Sequence, residues 1–241
     1  MRFTFGRAAA LAIAAATPSA AMAFFPSAPS VSVEAVSDDR RRGISWSDGE
    51  ASIAAAARTS LAQDFVADVR LSALRGSDRL DGAHAGIETG LRHVSRPGPW
   101  TLEAGVVGRF FLNHARLNHM EVQGSAAHQL GPVQARLAAA YAPPQDAIGG
   151  DNLYLSASFD AGIPATPYTL YGGIGRTTGD TEDSRSARLL RPGGSYWDHR
   201  IGIERVEGPL VAGLRYSDTT IDASEAEHTG ARLVAYVSIG L

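Results

Sequence analysis

The chain contains no cysteine. That excludes a disulfide framework, a thiolate metal centre and thiol redox chemistry. It contains no lysine either, so all 22 basic residues are arginine, planar guanidinium groups that stay ionised at any physiological pH. Beyond the N-terminal segment no apolar run approaches the roughly 18 residues that a membrane-crossing helix needs, and none is expected. Helical periodicity is scarce as well. Ala54 to Ala57 favours a helix, but the residues on both sides alternate. These absences leave a membrane β-barrel open, because only every second residue of such a barrel faces lipid.

The N-terminal segment has the layout of a secretion signal. Arg2 and Arg7 form a positive end, Ala8 to Ala16 is apolar, and Pro18 bounds the run. Ala21-Met22-Ala23 carries small residues where a signal peptidase needs them, which predicts a signal peptide over 1–23 and a mature domain over 24–241. Its removal leaves 20 arginines against 25 acidic residues, a net charge of −5. No basic stripe remains for nucleic acid, so no nucleic-acid partner is expected.

What the mature chain does have is alternation. Runs of about ten residues repeat with period two and end in turn residues, the signature of strands. In the last run Leu233, Ala235, Val237, Ile239 and Leu241 share one face, with Arg232, Tyr236, Ser238 and Gly240 on the other. Twelve such runs begin near Val31, Ala51, Phe65, His84, Trp100, His119, Val133, Asn152, Tyr168, Tyr196, Leu210 and Ala231. Short connections alternate with longer polar ones, as the tight periplasmic turns and longer outer loops of outer-membrane barrels do. The first hairpin, near Trp46 to Glu50, is the exception, short where a long loop is due. The fold class expected is all-β: a closed, antiparallel, up-and-down transmembrane barrel of about twelve strands.

A soluble sandwich alternates too. Three features favour the barrel. The polar face carries both signs of charge on successive strands: Arg58, Asp68, Arg70, Glu88, Arg92, Glu103, Arg109, Glu121, Arg136, Asp160, Arg200, Glu204, Arg215 and Arg232. A wet lumen accommodates such residues by pairing arginine with carboxylate across strands. Small residues are frequent, including glycine at 105, 108, 124, 172, 173, 175, 202 and 213, whereas a dry core wants bulk for dense packing. Finally, the last run alternates up to Leu241 and is expected to close against the first strand and to be read by the barrel-assembly machinery. Barrels of this kind usually end in phenylalanine; here the residue is leucine. Trp46, Trp100, Tyr141, Tyr168, Tyr196, Trp197 and Tyr216 are placed for interfacial belts.

One stretch is more specific. Ser37-Asp38-Asp39-Arg40-Arg41-Arg42-Gly43-Ile44-Ser45-Trp46-Ser47-Asp48-Gly49 resembles the opening strand of the TorF-type family of proteobacterial outer-membrane porins. That strand reads serine-aspartate-aromatic-arginine-x-arginine-glycine-isoleucine-serine before a serine-aspartate turn. Asp39 and Arg41 stand where the family usually has aromatic or bulky residues. The resemblance implies an outer-membrane channel and says little about its solute. As a wall strand running from Val31 to Ile44, the segment would put Arg40 and Arg42 on the lumen face and Arg41 opposite. A lipid-facing arginine costs about 2–4 kcal/mol at mid-membrane, so Arg41 is expected at the outer rim. Gly43 would mark a bulge. The arginines then form either a stiffening lattice with carboxylates or a ladder that attracts anions.

Other chemistry finds little support. Of seven histidines, His84, His114 and His119 have no metal-site spacing and are expected in solvent. His128 and His199 have the apolar phase, yet neither has a partner serine in a recognisable motif. The acidic loop at Gly179 to Asp183 lacks calcium-loop spacing, and a solvated outer loop, or one bridged by divalent ions to lipopolysaccharide, is the better expectation. No enzyme, cofactor or metal is expected. The expected function is passive diffusion of small polar or anionic solutes. The alternative is a non-conducting structural or adhesion barrel acting through its outer loops. Candidate lumen positives are Arg40, Arg42, Arg58, Arg70, Arg92, Arg109, Arg136, Arg215 and Arg232; candidate negatives are Glu88, Glu103, Glu121, Asp160 and Glu204.

Overall fold

The computed structural model describes residues 29–222, 224 and 226–241. The signal peptide expected over 1–23 lies outside them. Twelve strands form one closed antiparallel barrel. They are β1 (Ser30–Val36), β2 (Ser52–Ala62), β3 (Phe65–Ser77), β4 (Ala83–Ser95), β5 (Trp100–Phe111), β6 (His119–Leu130), β7 (Val133–Gln145), β8 (Gly150–Gly162), β9 (Tyr168–Thr178), β10 (Tyr196–Glu207), β11 (Leu210–Thr219) and β12 (Arg232–Gly240). Each pairs with its neighbours in sequence, and β1 closes on β12 with Val33 opposite Ile239 and Val36 opposite Tyr236. Every strand start falls within two residues of the expected position.

The phase of each strand decides what faces where. Leu91, Val122, Leu137, Ile201 and Leu233 point outward and are exposed, in one apolar band around the barrel. So large a contiguous apolar surface is stable only against lipid. Trp100, Tyr141, Tyr168, Trp197 and Tyr216 stand exposed on this outer surface. Trp46 and Tyr196, expected beside them, are instead buried inside, at 5% and 2% exposure.

The glycines have a second cause besides lipid filling the gaps. Several face inward, where a neighbouring aromatic side chain lies flat across the strand. A Cβ on Gly213 would sit 2.5 Å from the Tyr236 ring, and one on Gly202 equally close to Tyr171. The two tyrosines thereby reach each other, and the Tyr236 hydroxyl lies 3.0 Å from both the Tyr171 hydroxyl and Glu204 Oε2.

Connections alternate in length except at 146–149, which is shorter than the inner turn 163–167 after it. Residues 63–64, 96–99, 131–132, 163–167 and 208–209 make the turns at the end where β1 begins and β12 finishes. At the other end the loops span 37–51, 78–82, 112–118, 146–149, 179–195 and 220–231. The first hairpin is therefore not short. The wall strand β1 stops at Val36, and the stretch read as its continuation to Ile44 leaves the wall.

Candidate functional site in the barrel lumen

Residues 37–51 fold into the barrel. Arg40–Arg41 pairs with Ile44–Ser45 as a two-rung ribbon. Arg42 (φ 50°) and Gly43 (φ 77°) form its tip, both in the left-handed region that a tight two-residue hairpin turn requires. Gly43 lies against Thr219 and Asp198 on the far wall, where a Cβ would come within 2.9 Å of the Asp198 Cβ. A side chain at 43 would clash as well as strain the backbone.

The ribbon is held by polar bonds of its own. Asp38 accepts from Ser45 Oγ at 2.5 Å, and the Asp39 backbone N–H donates to Ser47 Oγ at 3.0 Å. Arg40 donates to the carbonyls of Gly43 and Gly230 and sits 3.4 Å from Asp38. Its apolar residues lock into the outer half of the lumen. Trp46 packs on Phe111 with ring centroids 5.5 Å apart, in a buried cluster with Leu74, Leu80, Leu117, Ile148, Leu189 and Leu190. Ile44 joins Tyr196 and Ile221 in a second cluster. The outer half of the barrel thus has a dry core in which loop residues pack against strand residues.

Opposite the ribbon runs a band of ion pairs around the wall. Arg70 bonds Glu34 at 3.0 Å. Arg109 bonds both Glu88 (2.9 Å) and Glu121 (2.7 Å). Register brings these groups together: Arg70 faces Glu88 across β3–β4, and Glu88 faces Arg109 across β4–β5. The ribbon lies on this band. Arg41 reaches Glu88 at 3.0 Å and Asp39 at 3.8 Å, with its guanidinium 4.4 Å from the Trp46 ring. Arg42 reaches Glu121 at 2.7 Å and stacks 4.5 Å from the Tyr154 ring, and Tyr196 donates its hydroxyl to the Arg42 carbonyl.

Below the ribbon, in the inner half, is a cavity of about 180 Å³. Of the expected lumen residues, Arg40, Arg42, Arg58, Arg70, Arg92, Arg109, Arg136, Arg215, Glu88 and Glu103 line it. Glu121 is sealed beneath Arg42 and Arg109, at 1% exposure. Glu204 is buried under Tyr236, and Asp160 lies inward, facing Tyr171 across β8–β9. Arg232 stands apart, exposed at the outer rim and bonded to the Gly49 carbonyl.

Three readings of the sequence are corrected. Arg40 and Arg42 enter the lumen on the ribbon and not on a wall strand, and Arg41, expected outside near the rim, is inside with them. Gly43 is a turn tip, not a bulge. His119 is not a solvent histidine but 2% exposed, facing inward and stacked on Phe111. The candidate set had omitted Asp38, Asp39, Glu34, Tyr154, Asp198 and Arg200. Arg200 and Asp198 had a signal, since they share the inward phase with Glu204 on β10.

The walls of this cavity hold two kinds of arginine. Arg92 pairs with Asp68, and Arg136 with Glu103 at 3.6 Å. Among the described residues no carboxylate oxygen lies within 4.0 Å of Arg58, Arg200 or Arg215, all three of which face the cavity.

A closed twelve-stranded barrel with an apolar outside and a charged inside defines a transmembrane barrel of the porin type. The chain itself belongs to a family of bacterial proteins of unknown function, Gcw_chp, whose model matches residues 20–238. No curated protein sequence matches it. Among solved structures it is similar to the KdgM porin (TM-score 0.58, 9% identity) and the NanC porin (TM-score 0.59, 7% identity), each alignment covering 87% of this chain and 98% of the other. KdgM in complex with disordered oligogalacturonate is equally similar, at a TM-score of 0.59 and 8% identity. At such identities the likeness is one of fold.

Proposed function

We propose that the protein is an outer-membrane channel for small polar or anionic solutes. The observation that carries this reading is the charged cavity in which, among the described residues, Arg58, Arg200 and Arg215 have no carboxylate oxygen within 4.0 Å. A guanidinium not bonded to a carboxylate in a confined space attracts anions and selects by charge and size. The TorF-type resemblance supports the same reading, and its most specific stretch is the segment that forms the lumen ribbon. In this reading the signal peptide over 1–23 is removed, and the apolar band sits in outer-membrane lipid with lipopolysaccharide around the loops. The assembly machinery reads β12. Neither cofactor nor catalytic residue enters the proposal.

The ribbon gives the alternative a specific basis: a lumen crossed by a ribbon and capped by a dry core is closed. A non-conducting barrel acting through its outer loops fits that state. Planar-bilayer conductance separates the two. Wild-type protein, and a variant in which a short glycine-serine linker replaces residues 38–48, are inserted in turn. Ion-conducting steps with a reversal potential on the anion side are expected, larger for the variant. A variant that inserts and never conducts overturns the channel reading.

A further inference from the structure

The band of ion pairs is built asymmetrically. Glu88 and Glu121 each hold two arginines, one from the ribbon and one, Arg109, from the wall itself. If the ribbon leaves, Arg109 still bonds both carboxylates, so neither is left without a counter-ion, and the shared guanidinium leaves the wall one negative charge in excess. The ribbon is in the opposite position. Once undocked, Arg41 keeps only Asp39, at 3.8 Å, and Arg42 keeps no carboxylate at all. The Arg42 Nη1 atom is already buried without a hydrogen-bond partner while docked. Both side chains line the cavity, so a solute there meets them directly.

We propose that Arg41 and Arg42 are the solute-recognition site of the channel, and that their ligand is a multivalent anion which takes the two guanidiniums from Glu88 and Glu121 and releases the ribbon. The inference rests on the channel reading above. A ligand shifts such an equilibrium only by its difference in affinity for the two states. A monovalent anion satisfies one guanidinium and still leaves the other without a partner. A di- or tricarboxylate bridges two guanidiniums held on adjacent ribbon residues, as carboxylate–arginine pairs do with two parallel hydrogen bonds each. Docked, the same guanidiniums are engaged by the wall, so the anion binds the released state better. Arg58, Arg200 and Arg215, which bond no carboxylate within 4.0 Å among the described residues, raise the local concentration of that anion around the ribbon.

The test is the open probability of the wild-type channel in planar bilayers, with sodium acetate compared against sodium citrate at equal ionic strength and the anion added to each side in turn. Citrate is expected to raise open probability about tenfold over acetate, within the usual range for a ligand-coupled equilibrium. In Arg41→Gln/Arg42→Gln the channel is expected to open more without ligand and to stop distinguishing the two salts. In Glu88→Gln/Glu121→Gln the wall no longer competes, and half-maximal opening shifts to lower citrate. Equal responses of the wild type to citrate and acetate overturn the proposal, and that measurement needs no variant to fold. If the wild type gives equal responses while the form lacking residues 38–48 conducts, the channel reading stands and this inference falls.

Discussion

The two halves of the lumen are built from the same barrel by opposite means. The outer half is filled by loop residues such as Trp46 and Leu190, which pack against Phe111 and Leu74 on the strands as a dry core. The inner half holds a cavity lined by arginine and carboxylate on the strands themselves. The wall differs little between them: the same alternation that puts Leu137 in lipid puts Arg136 inside. What differs is whether a loop supplies the inward filling. Lumen polarity is thus set by strand phase, but lumen closure is set by the ribbon and the outer loops packed around it.

The sharpest way to break this contrast is to remove the filling. Replacing residues 38–48 with a glycine-serine linker is expected to raise single-channel conductance several-fold, read in planar bilayers, while the heat-dependent mobility of the barrel in detergent stays. Next is the ion-pair band on which the ribbon rests. Arg109→Met leaves Glu88 and Glu121 buried with fewer counter-ions, and loss of one partner of a buried charge pair costs about 3–5 kcal/mol. The expected readout is a lower unfolding midpoint in detergent, seen as the folded-to-unfolded mobility shift on heating. Trp46→Ala tests the dry half by opening a cavity, and large-to-small changes of this kind cost about 3–5 kcal/mol where the site cannot collapse. Much of that loss falls on ribbon docking, so amide exchange over residues 38–48 should speed up while β4 to β8 stay protected.

Smaller effects test the inner half. Arg58→Gln, Arg200→Gln and Arg215→Gln each remove one charge that bonds no carboxylate within 4.0 Å among the described residues. Each is expected to move the reversal potential in a salt gradient toward cations by a few millivolts, without changing the unfolding midpoint, since no ion pair is lost. The smallest effect lies in the outer loops, where Asp183 caps a single helical turn (Ser184–Ala187). Hydrogen bonds from the Ser186 hydroxyl and from the backbone N–H groups of Ser186 and Arg185 hold its carboxyl below the usual range. A depressed pKa stabilises the turn at all pH values above the unfolded one and loses that contribution as pH falls through the folded one. The protection factors of the amides in this turn should therefore be flat near neutrality and fall only in acid; a fall near pH 6 would contradict the assignment.

Most of the wall could be read from the sequence, because period-two alternation reports directly on which side of a sheet a residue stands. Leu233, Val237 and Ile239 point outward and Tyr236 inward, as their spacing implies. The ribbon escaped that reading for a physical reason. Alternation tells which face a residue takes and not whether its segment belongs to the sheet. The warning was present: Val31, Val33 and Ala35 alternate, and then Asp38 to Arg42 places charge on both phases. No wall strand in lipid tolerates that, so the three arginines belong where all can find partners. His119, too, sits at a strand start where the sequence shows only proximity to a loop. Its burial comes from Phe111 on the neighbouring strand, a contact no local pattern reports.

The position of Trp46 has a spectroscopic consequence. The chain has three tryptophans, and the other two, Trp100 and Trp197, stand on the outer surface at 46% and 42% exposure. Brominated or doxyl-labelled lipid should quench those two and leave the third bright, since the barrel wall separates it from the acyl chains. The residual emission is then a single-site optical reporter, and a water-soluble quencher such as iodide should reach it only while the lumen stands unobstructed.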